Sequence, residues 1–378
     1  MNVAIIGAGA SGVMTALAIK ELNKNIKVDL YEKEDRILKK LAATGGGKCN
    51  LGNLDINENY FNNTNYIKDF VNDFDKTSYL NYFNKYNLKL TNDNNLLYPY
   101  SKTASMVINF FKERLSDTNV NILLNAEVKN IDFKNKLINN KKYDYIVISI
   151  GSKALYNNNV YSLLKNDFSI TKLEQSLVGF ISNQIKDMKE IRQQAKVSLI
   201  RNSNIIIEQK GEIQFKNDGL SGICIMNLSA KYQTGDCIEI DFFPNDSVED
   251  IIKKISNKNL NTINCFKYSL ENKIIKLINN KNKNIDELSN EQLVDFINSY
   301  KKFRLNVNGL YDYKFSQVVR GGVNLKEVNS FESIKYKKVF LTGEILDIDG
   351  LCGGYNLWFA FNSGMKVGED ICKYVLEK

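Results

Sequence analysis

The first thirty-two residues constrain this chain more than any other stretch. A short apolar run, Val3 to Ile6, leads directly into Gly7-Ala-Gly-Ala-Ser-Gly12, and a segment of helical composition extends from Ser11 to Lys24. Ile26, Val28 and Leu30 then alternate with Lys27, Asp29 and Tyr31, the period-two pattern of a strand. Strand, glycine turn, helix and strand together form the opening βαβ unit of a dinucleotide-binding fold, and Glu32 stands at the end of the second strand, about 20 residues beyond the glycines. Each part has a physical task. Gly7 permits the tight turn, Gly9 lets backbone approach a pyrophosphate, and Gly12 lets the helix pack closely on the strand. The helix start, with Ala10 and Ser11 in its first turn, offers unpaired N–H groups and a positive dipole end to phosphate. Glu32 accepts hydrogen bonds from a ribose hydroxyl pair and repels a 2′-phosphate, which disfavours NADP at this position.

A second glycine cluster follows. Thr44 to Asn50 reads TGGGKCN, with Gly45, Gly46 and Gly47 placed where backbone either approaches a ligand or only forms a loop of positive φ. A polar helical region over Asn65 to Asn87 and a helix over Thr103 to Leu115 come next, then strands at Val120 to Leu124 and Glu127 to Phe133. The apolar run Tyr143 to Gly151 reads as a buried strand ending in glycine. From Gln175 to Pro244 short strands recur without helices between them, including Ala195 to Ile200, Asn204 to Gln209 and Cys237 to Phe243, which predicts a small barrel or sandwich. Asp246 to Tyr300 is helical, with Ser289 and Gln292 as a capping box. The chain then returns through strand and turn signals to a helix beginning near Leu357.

The expected class is therefore α/β: a Rossmann-like domain over residues 1–175 and 331–378, an inserted β-barrel-like domain over 176–245 and 307–330, and a helical insertion over 246–306. A length of 378 residues suits such a multi-part plan.

The chain has no histidine, which excludes Ser-His and Cys-His catalysis, histidine zinc sites and a histidine-linked flavin. Its six cysteines are scattered without a C-x-x-C pair, so neither a disulfide framework nor a metal site is expected. The net charge of +8 is spread through Lys- and Asn-rich segments with acidic residues interspersed, so nucleic acid is not an expected partner. No apolar stretch approaches the roughly 18 residues that cross a bilayer, and no leader pattern is evident; the expected location is the cytoplasm, with no membrane partner. Oligomeric state has no signature in the sequence.

Several further motifs stand beside GAGASG with Glu32 and TGGGKCN: YPYSKTASMV at Tyr98 to Val107, GLSG at Gly219 to Gly222, RGGV at Arg320 to Val323, and GEILDIDGLCGGYN at Gly343 to Asn356. With these the chain resembles, over nearly its whole length, the bacterial NAD(P)/FAD-dependent oxidoreductases that include aminoacetone oxidase-like and bile-acid reductase-like flavoproteins. The resemblance implies FAD as cofactor, held in a Rossmann-like FAD-binding domain. It implies that Gly353, Gly354, Tyr355 and Asn356 line the isoalloxazine, that Glu344 and Asp347 lie near the ribityl and phosphate region, and that the backbone of Val128 meets the adenine. By the same resemblance Lys33, Gly151 and Gly343 join the cofactor-binding set, as do Thr44, the three glycines after it, Lys48, Cys49 and Asn50. Lys48 stands where the family has arginine, Asn217 where it has histidine, Ile223 where it has proline and Trp358 where it has glutamine. These changes touch side chains rather than backbone, and so bear on substrate more than on cofactor.

A flavin exchanges hydride with a substrate stacked on its ring, and the protein supplies positioning and protons. Tyr355, Cys49, Lys48 and Asp349 are the candidate proton donors or acceptors, with Tyr355 first because a phenol can protonate a developing enolate. No second G-x-G-x-x-G occurs, so no separate NAD(P)H domain is evident. The expected reaction is NAD(P)H-driven reduction of an activated double bond in a small organic substrate. Oxidation of a small amine by oxygen is the alternative enzyme reading, and a flavin-binding RNA-interacting or regulatory protein is the non-enzyme one.

Overall fold

The computed structural model describes residues 1–155, 160–256 and 258–376. The chain forms two compact units, one from Met1–Glu174 with Val318–Lys378 and the other from Gln175–Gln317. The first crossing lies within a residue of the boundary read from the sequence. The return falls at 317/318 rather than at 330/331, because the RGGV segment packs in the first unit. A Cβ on Gly322 would lie 2.6 Å from the Ile345 carbonyl oxygen, and Val323 N–H donates to that same oxygen at 2.8 Å.

The first unit is built on a mixed seven-stranded sheet. Its order is Val328–Asn329, Glu332–Ser333, Val339–Leu341, Tyr145–Ile148, β1 (Asn2–Ile6), β2 (Lys27–Tyr31) and Asn121–Leu123. The last five strands run parallel, with Ile5 paired to Leu30 on one side and Val147 on the other. Val3, Ala4, Ile5, Ile146 and Val147 are fully buried, as expected where both faces of a parallel sheet are covered. Because β1 has parallel neighbours on both sides, the carboxyl ends of β1 and its neighbours open on a switch point, the usual place for a nucleotide.

Helix α1 (Ala10–Leu22) leaves that point and packs along the C-terminal helix Tyr355–Leu376. The two helices come very close because the C-terminal one carries Gly364 and Gly368. A Cβ at Gly364 would lie 2.3 Å from the Ser11 carbonyl oxygen, and one at Gly368 would lie 2.6 Å from Ala18 Cβ. The two ends of the polypeptide therefore meet at the glycine turn.

On β2, Asp29 gathers Lys141 Nζ at 2.6 Å, Asn121 Nδ2 at 2.7 Å and the Tyr143 hydroxyl. Burial pushes the Asp29 carboxyl up, but the hydrogen bonds from Lys141, Tyr143 and Asn121 outweigh it and hold the group below its ordinary value. The stabilisation is thus present above the ordinary carboxylate range and is lost as pH falls through the depressed value. Asp29→Ala is expected to lower stability by about 1–3 kcal/mol at neutral pH. In urea unfolding the gap between variant and parent should close in strong acid.

The second unit holds an antiparallel sheet in the order Phe303–Asn306, Cys237–Asp241, Arg192–Arg201, Asn204–Phe215, Gly219–Ser221, Phe180–Ile181 and Gly309–Leu310. Its two edges are nearly consecutive pieces of chain, so the sheet curls toward closure like a barrel. The long hairpin turns on Asn202 and Ser203, both at positive φ (48° and 66°), the twist-compatible geometry for a two-residue loop. The helical insertion supplies Val248–Ile255, Asn272–Ile278 and Asn290–Lys301, the last with the Ser289/Gln292 capping box formed in both directions.

Three local expectations differ. The helical region at 65–87 is two helices, Thr64–Asn72 and Lys76–Lys85, because Asp75 caps the second through the N–H groups of Thr77 and Ser78. TGGG is not a loop but the end of a 3₁₀ helix, Lys39–Gly47, although Gly46 and Gly47 do take positive φ, 65° and 86°. The strand expected at 127–133 pairs only over Ile131–Asp132, which leaves Val128 outside any ladder. Among the described residues no helix is long and apolar enough to cross a membrane.

Candidate functional site

The three glycines of GAGASG have three different surroundings. Gly7 has φ 100°, and a Cβ there would lie 2.5 Å from the Ser149 carbonyl oxygen; at Gly12 it would lie 2.0 Å from the Gly7 carbonyl oxygen. These two are glycine because the protein itself crowds them. At Gly9 the φ of −78° suits any residue, and an added Cβ meets nothing within 4 Å. Gly9 thus faces open space at the start of α1. The N–H groups of Ala10, Ser11 and Gly12 have no partner among the described residues, and no side chain caps the helix. This is an anion cradle with its donors free.

Glu32 is held for a ribose. Ala8 N–H donates to its Oε2 at 2.9 Å and Glu34 N–H to its Oε1 at 3.0 Å, which fixes the carboxylate and leaves a lone pair on each oxygen. Lys33 beside it is exposed. Beyond β2, Asn125 and Ala126 N–H donate to the carbonyls of Glu34 and Glu32. The buried Val128 then follows with its backbone N–H and C=O unpaired among the described residues, as an adenine edge requires. These features fit a bound dinucleotide.

The C-terminal block closes on the same place. Ser11 Oγ donates to the Thr342 carbonyl at 3.4 Å, and a Cβ on Gly343 (φ 73°) would lie 2.6 Å from Ser11 Oγ. Glu344 Oε1 accepts from Ser152 Oγ at 2.7 Å and Val319 N–H at 3.2 Å; Lys40 Nζ stands 3.8 Å from its Oε2 and 3.8 Å from where a Gly151 Cβ would be. Glu344 is thereby a brace between strand ends as much as a free ligand. Asp347 is engaged by Asn62 Nδ2 at 3.0 Å, while its carbonyl accepts from Asn63.

The two glycine clusters touch. Gly354, at φ 89°, leaves no room for a side chain: a Cβ would lie 2.6 Å from the Gly52 carbonyl oxygen and 2.7 Å from Asn50 Oδ1. Gly354 begins the C-terminal helix, accepting from Trp358 N–H at 2.9 Å. Asn356 grips Gly350 from both sides, accepting from its N–H at 2.8 Å and donating to its carbonyl at 2.7 Å. Tyr355 stands at this helix start, 7% exposed, stacked on Tyr60 at 4.7 Å and edge-on to Phe61 at 5.9 Å. Burial, with Tyr60 and Asp55 nearby, pushes its phenol above the ordinary value, so it is neutral at physiological pH.

The other proposed proton carriers have different surroundings. Cys49 is fully buried in the left-handed region (φ 57°), and burial pushes its thiol up to about 12 despite the Thr44 side chain beside it, so it carries no thiolate. Asp349 is buried, with its backbone tied to Asn62 in both directions at 2.7 and 2.9 Å. Lys48, Gly46 and Gly47 are exposed, and Thr44 is turned onto the Leu41 carbonyl. Motif reading missed Ser149, whose hydroxyl pins the carbonyls of Ile6 and Gly7, and Lys40, Asn53, Tyr60 and Asn62. Only Ser149 carried a signal, as the polar residue ending an apolar strand.

The chain is 26% identical to the 3-dehydro-bile acid delta(4,6)-reductase of Clostridium scindens, over 97% of this chain and 98% of that protein. It is 25% identical to the ribosomal RNA dihydrouridine synthase of Haemophilus influenzae, over 95% of each. Among solved structures, E. coli quinol fumarate reductase aligns at 12% identity with a TM-score of 0.49, over 99% of this chain and 70% of that one. The model of the HI0933-like protein Rossmann domain matches residues 1–370. The chain therefore belongs to the HI0933-like Rossmann-domain family of FAD-binding oxidoreductases.

Proposed function

We propose that this FAD-dependent oxidoreductase reduces a carbon–carbon double bond conjugated to a carbonyl, drawing its electrons from NAD(P)H. In this reading GAGASG and α1 hold the pyrophosphate, Glu32 the ribose, Val128 the adenine, and the segments around Asn50 and Gly354 the ring. When bound and reduced, FAD supplies hydride. The chain's own task is to hold the substrate, exclude water and deliver a proton.

The observation that carries the proposal is the neutral, nearly buried phenol of Tyr355 where the two glycine clusters meet. Reduction at a conjugated bond needs an acid beside the carbonyl oxygen, and a phenol kept neutral is one. Amine oxidation needs a base to unmask the amine, and such a phenol is a poor one; the thiol of Cys49 is no better. The relatives support the same chemistry, since a bile-acid delta(4,6)-reductase and a dihydrouridine synthase, as named, both saturate a double bond conjugated to a carbonyl. Uridine in RNA is a second reading of the substrate, favoured by the synthase relative.

The test is anaerobic. NADH or NADPH alone should bleach the flavin, and cyclohex-2-enone or a 4-en-3-oxo steroid should restore its colour. Restoration by RNA but by neither enone, weakening with salt, would favour the uridine reading. Flavin that simple amines bleach and nicotinamides do not would overturn the proposal.

A further inference from the structure

The proposed reduction turns on the direction of one proton, and a side chain outside every recognised motif sets it. Asn53 is 5% exposed and ends the short strand Gly52–Asn53. Its Oδ1 accepts from Asp55 N–H at 2.8 Å, and its Nδ2 donates to the Gly353 carbonyl at 3.0 Å and to the Tyr355 hydroxyl oxygen at 3.2 Å. A backbone N–H only donates and a carbonyl only accepts, so the contacts to Asp55 and Gly353 fix which end of the amide is which. The Tyr355 oxygen is therefore an acceptor toward Asn53, and its single proton is left for something else. Among the described residues nothing takes it.

The ring cannot turn away to find a partner. Tyr60 covers one side at 4.7 Å, Phe61 meets its edge at 5.9 Å, and a Cβ at Gly353 would lie 2.8 Å from Tyr355 Cε2. Asp55 ties the arrangement together, since its N–H anchors Asn53 and its carboxylate accepts the Tyr60 hydroxyl at 3.1 Å. A nearly buried donor without a protein acceptor among the described residues is free to meet the acceptor atom of a ligand.

We infer that Asn53 is a positioning residue that points the Tyr355 proton at the carbonyl oxygen of the bound substrate, a role that rests on the reductase reading above. As hydride from the reduced flavin reaches the β-carbon, the double-bond pair shifts toward the carbonyl and negative charge collects on its oxygen. The Tyr355 O–H bond breaks, its proton passes to that oxygen, and its electron pair remains as a phenolate facing the Asn53 N–H. A proton from water restores the phenol, and the enol product tautomerises to the saturated carbonyl compound. The flavin is oxidised by two electrons and the substrate reduced by two.

Two variants isolate the role. Asn53→Asp is isosteric and still accepts from Asp55 N–H, but its carboxylate draws the Tyr355 proton inward. Asn53→Ser keeps an acceptor for that N–H and is too short to reach Tyr355. Flavin-loaded protein is reduced, then mixed anaerobically with cyclohex-2-enone or a 4-en-3-oxo steroid. Both variants should reoxidise about 10- to 100-fold more slowly at saturating enone, with the half-saturating concentration little changed; Tyr355→Phe should lose about 10²- to 10⁴-fold. A second readout needs no turnover. In oxidised protein carrying 3-fluorotyrosine, the fluorine resonance assigned by its loss in Tyr355→Phe should move when enone is added to the parent, and should stay in place for Asn53→Asp. Parent-like rates in both variants with an unaltered resonance response would overturn the role of Asn53 and leave the reductase reading standing. If neither enone reoxidises the parent, the reading itself fails and the inference falls with it.

Discussion

Gly9→Val should purify as a folded but colourless protein. The position has an ordinary φ of −78° and nothing within 4 Å of an added Cβ, so the polypeptide alone gives the substitution no reason to unfold. What the side chain enters is the space before the free N–H groups of α1, where phosphate oxygens must come within hydrogen-bond distance. The flavin-free parent and the variant should therefore melt together. Adding FAD at about 100 times its Kd should stabilise the parent by about 2.7 kcal/mol and leave the variant unmoved. A variant that retains FAD through gel filtration would show that the pyrophosphate lies elsewhere.

Gly12→Ala should do the opposite and damage the fold before any cofactor is considered. A single Cβ there would lie 2.0 Å from the Gly7 carbonyl oxygen and 2.5 Å from Ser149 Oγ. Alanine's better helix propensity returns about 1 kcal/mol, while forcing atoms into a closed contact costs on the order of 3 kcal/mol or more, a large part of a typical total of about 5–15 kcal/mol. Thermal unfolding of flavin-free protein should show Gly12→Ala well below the parent while Gly9→Val matches it. Equal melting of all three would remove the distinction between the two glycines.

That distinction was half legible in the sequence. The spacing of Gly7, Gly9, Gly12 and Glu32 foretold a βαβ turn because every member lies within one local unit, and the Ser289/Gln292 capping box was readable for the same reason. Sequence could not say that Gly9 alone faces open space, since the crowding at Gly12 comes partly from Ser149, which a distant strand delivers. The C-terminal block was recognisable as a motif, yet its partner Asn53 stands 302 residues from Tyr355 and carries no pattern of its own. Local chemistry also misled. The polar run at 65–87 has helical composition throughout, and only the capping geometry of Asp75 reveals the break. Cys49 adjoined the glycine cluster as a candidate proton donor or acceptor, and the fold turned it inward. Val128 sits in a run that favours a strand, but its backbone stays out of the ladder and so remains free for a ligand.

We propose that one dinucleotide flavin is held jointly by the amino-terminal cradle and the carboxyl-terminal glycine block. Calorimetric titration of the flavin-stripped chain with FAD tests it directly, with FMN as the control that lacks the adenylate half. Equimolar saturation by FAD, far tighter than FMN and lost in Gly9→Val, is the predicted result. Absence of FAD binding, or equal affinity for FMN and FAD, would contradict it.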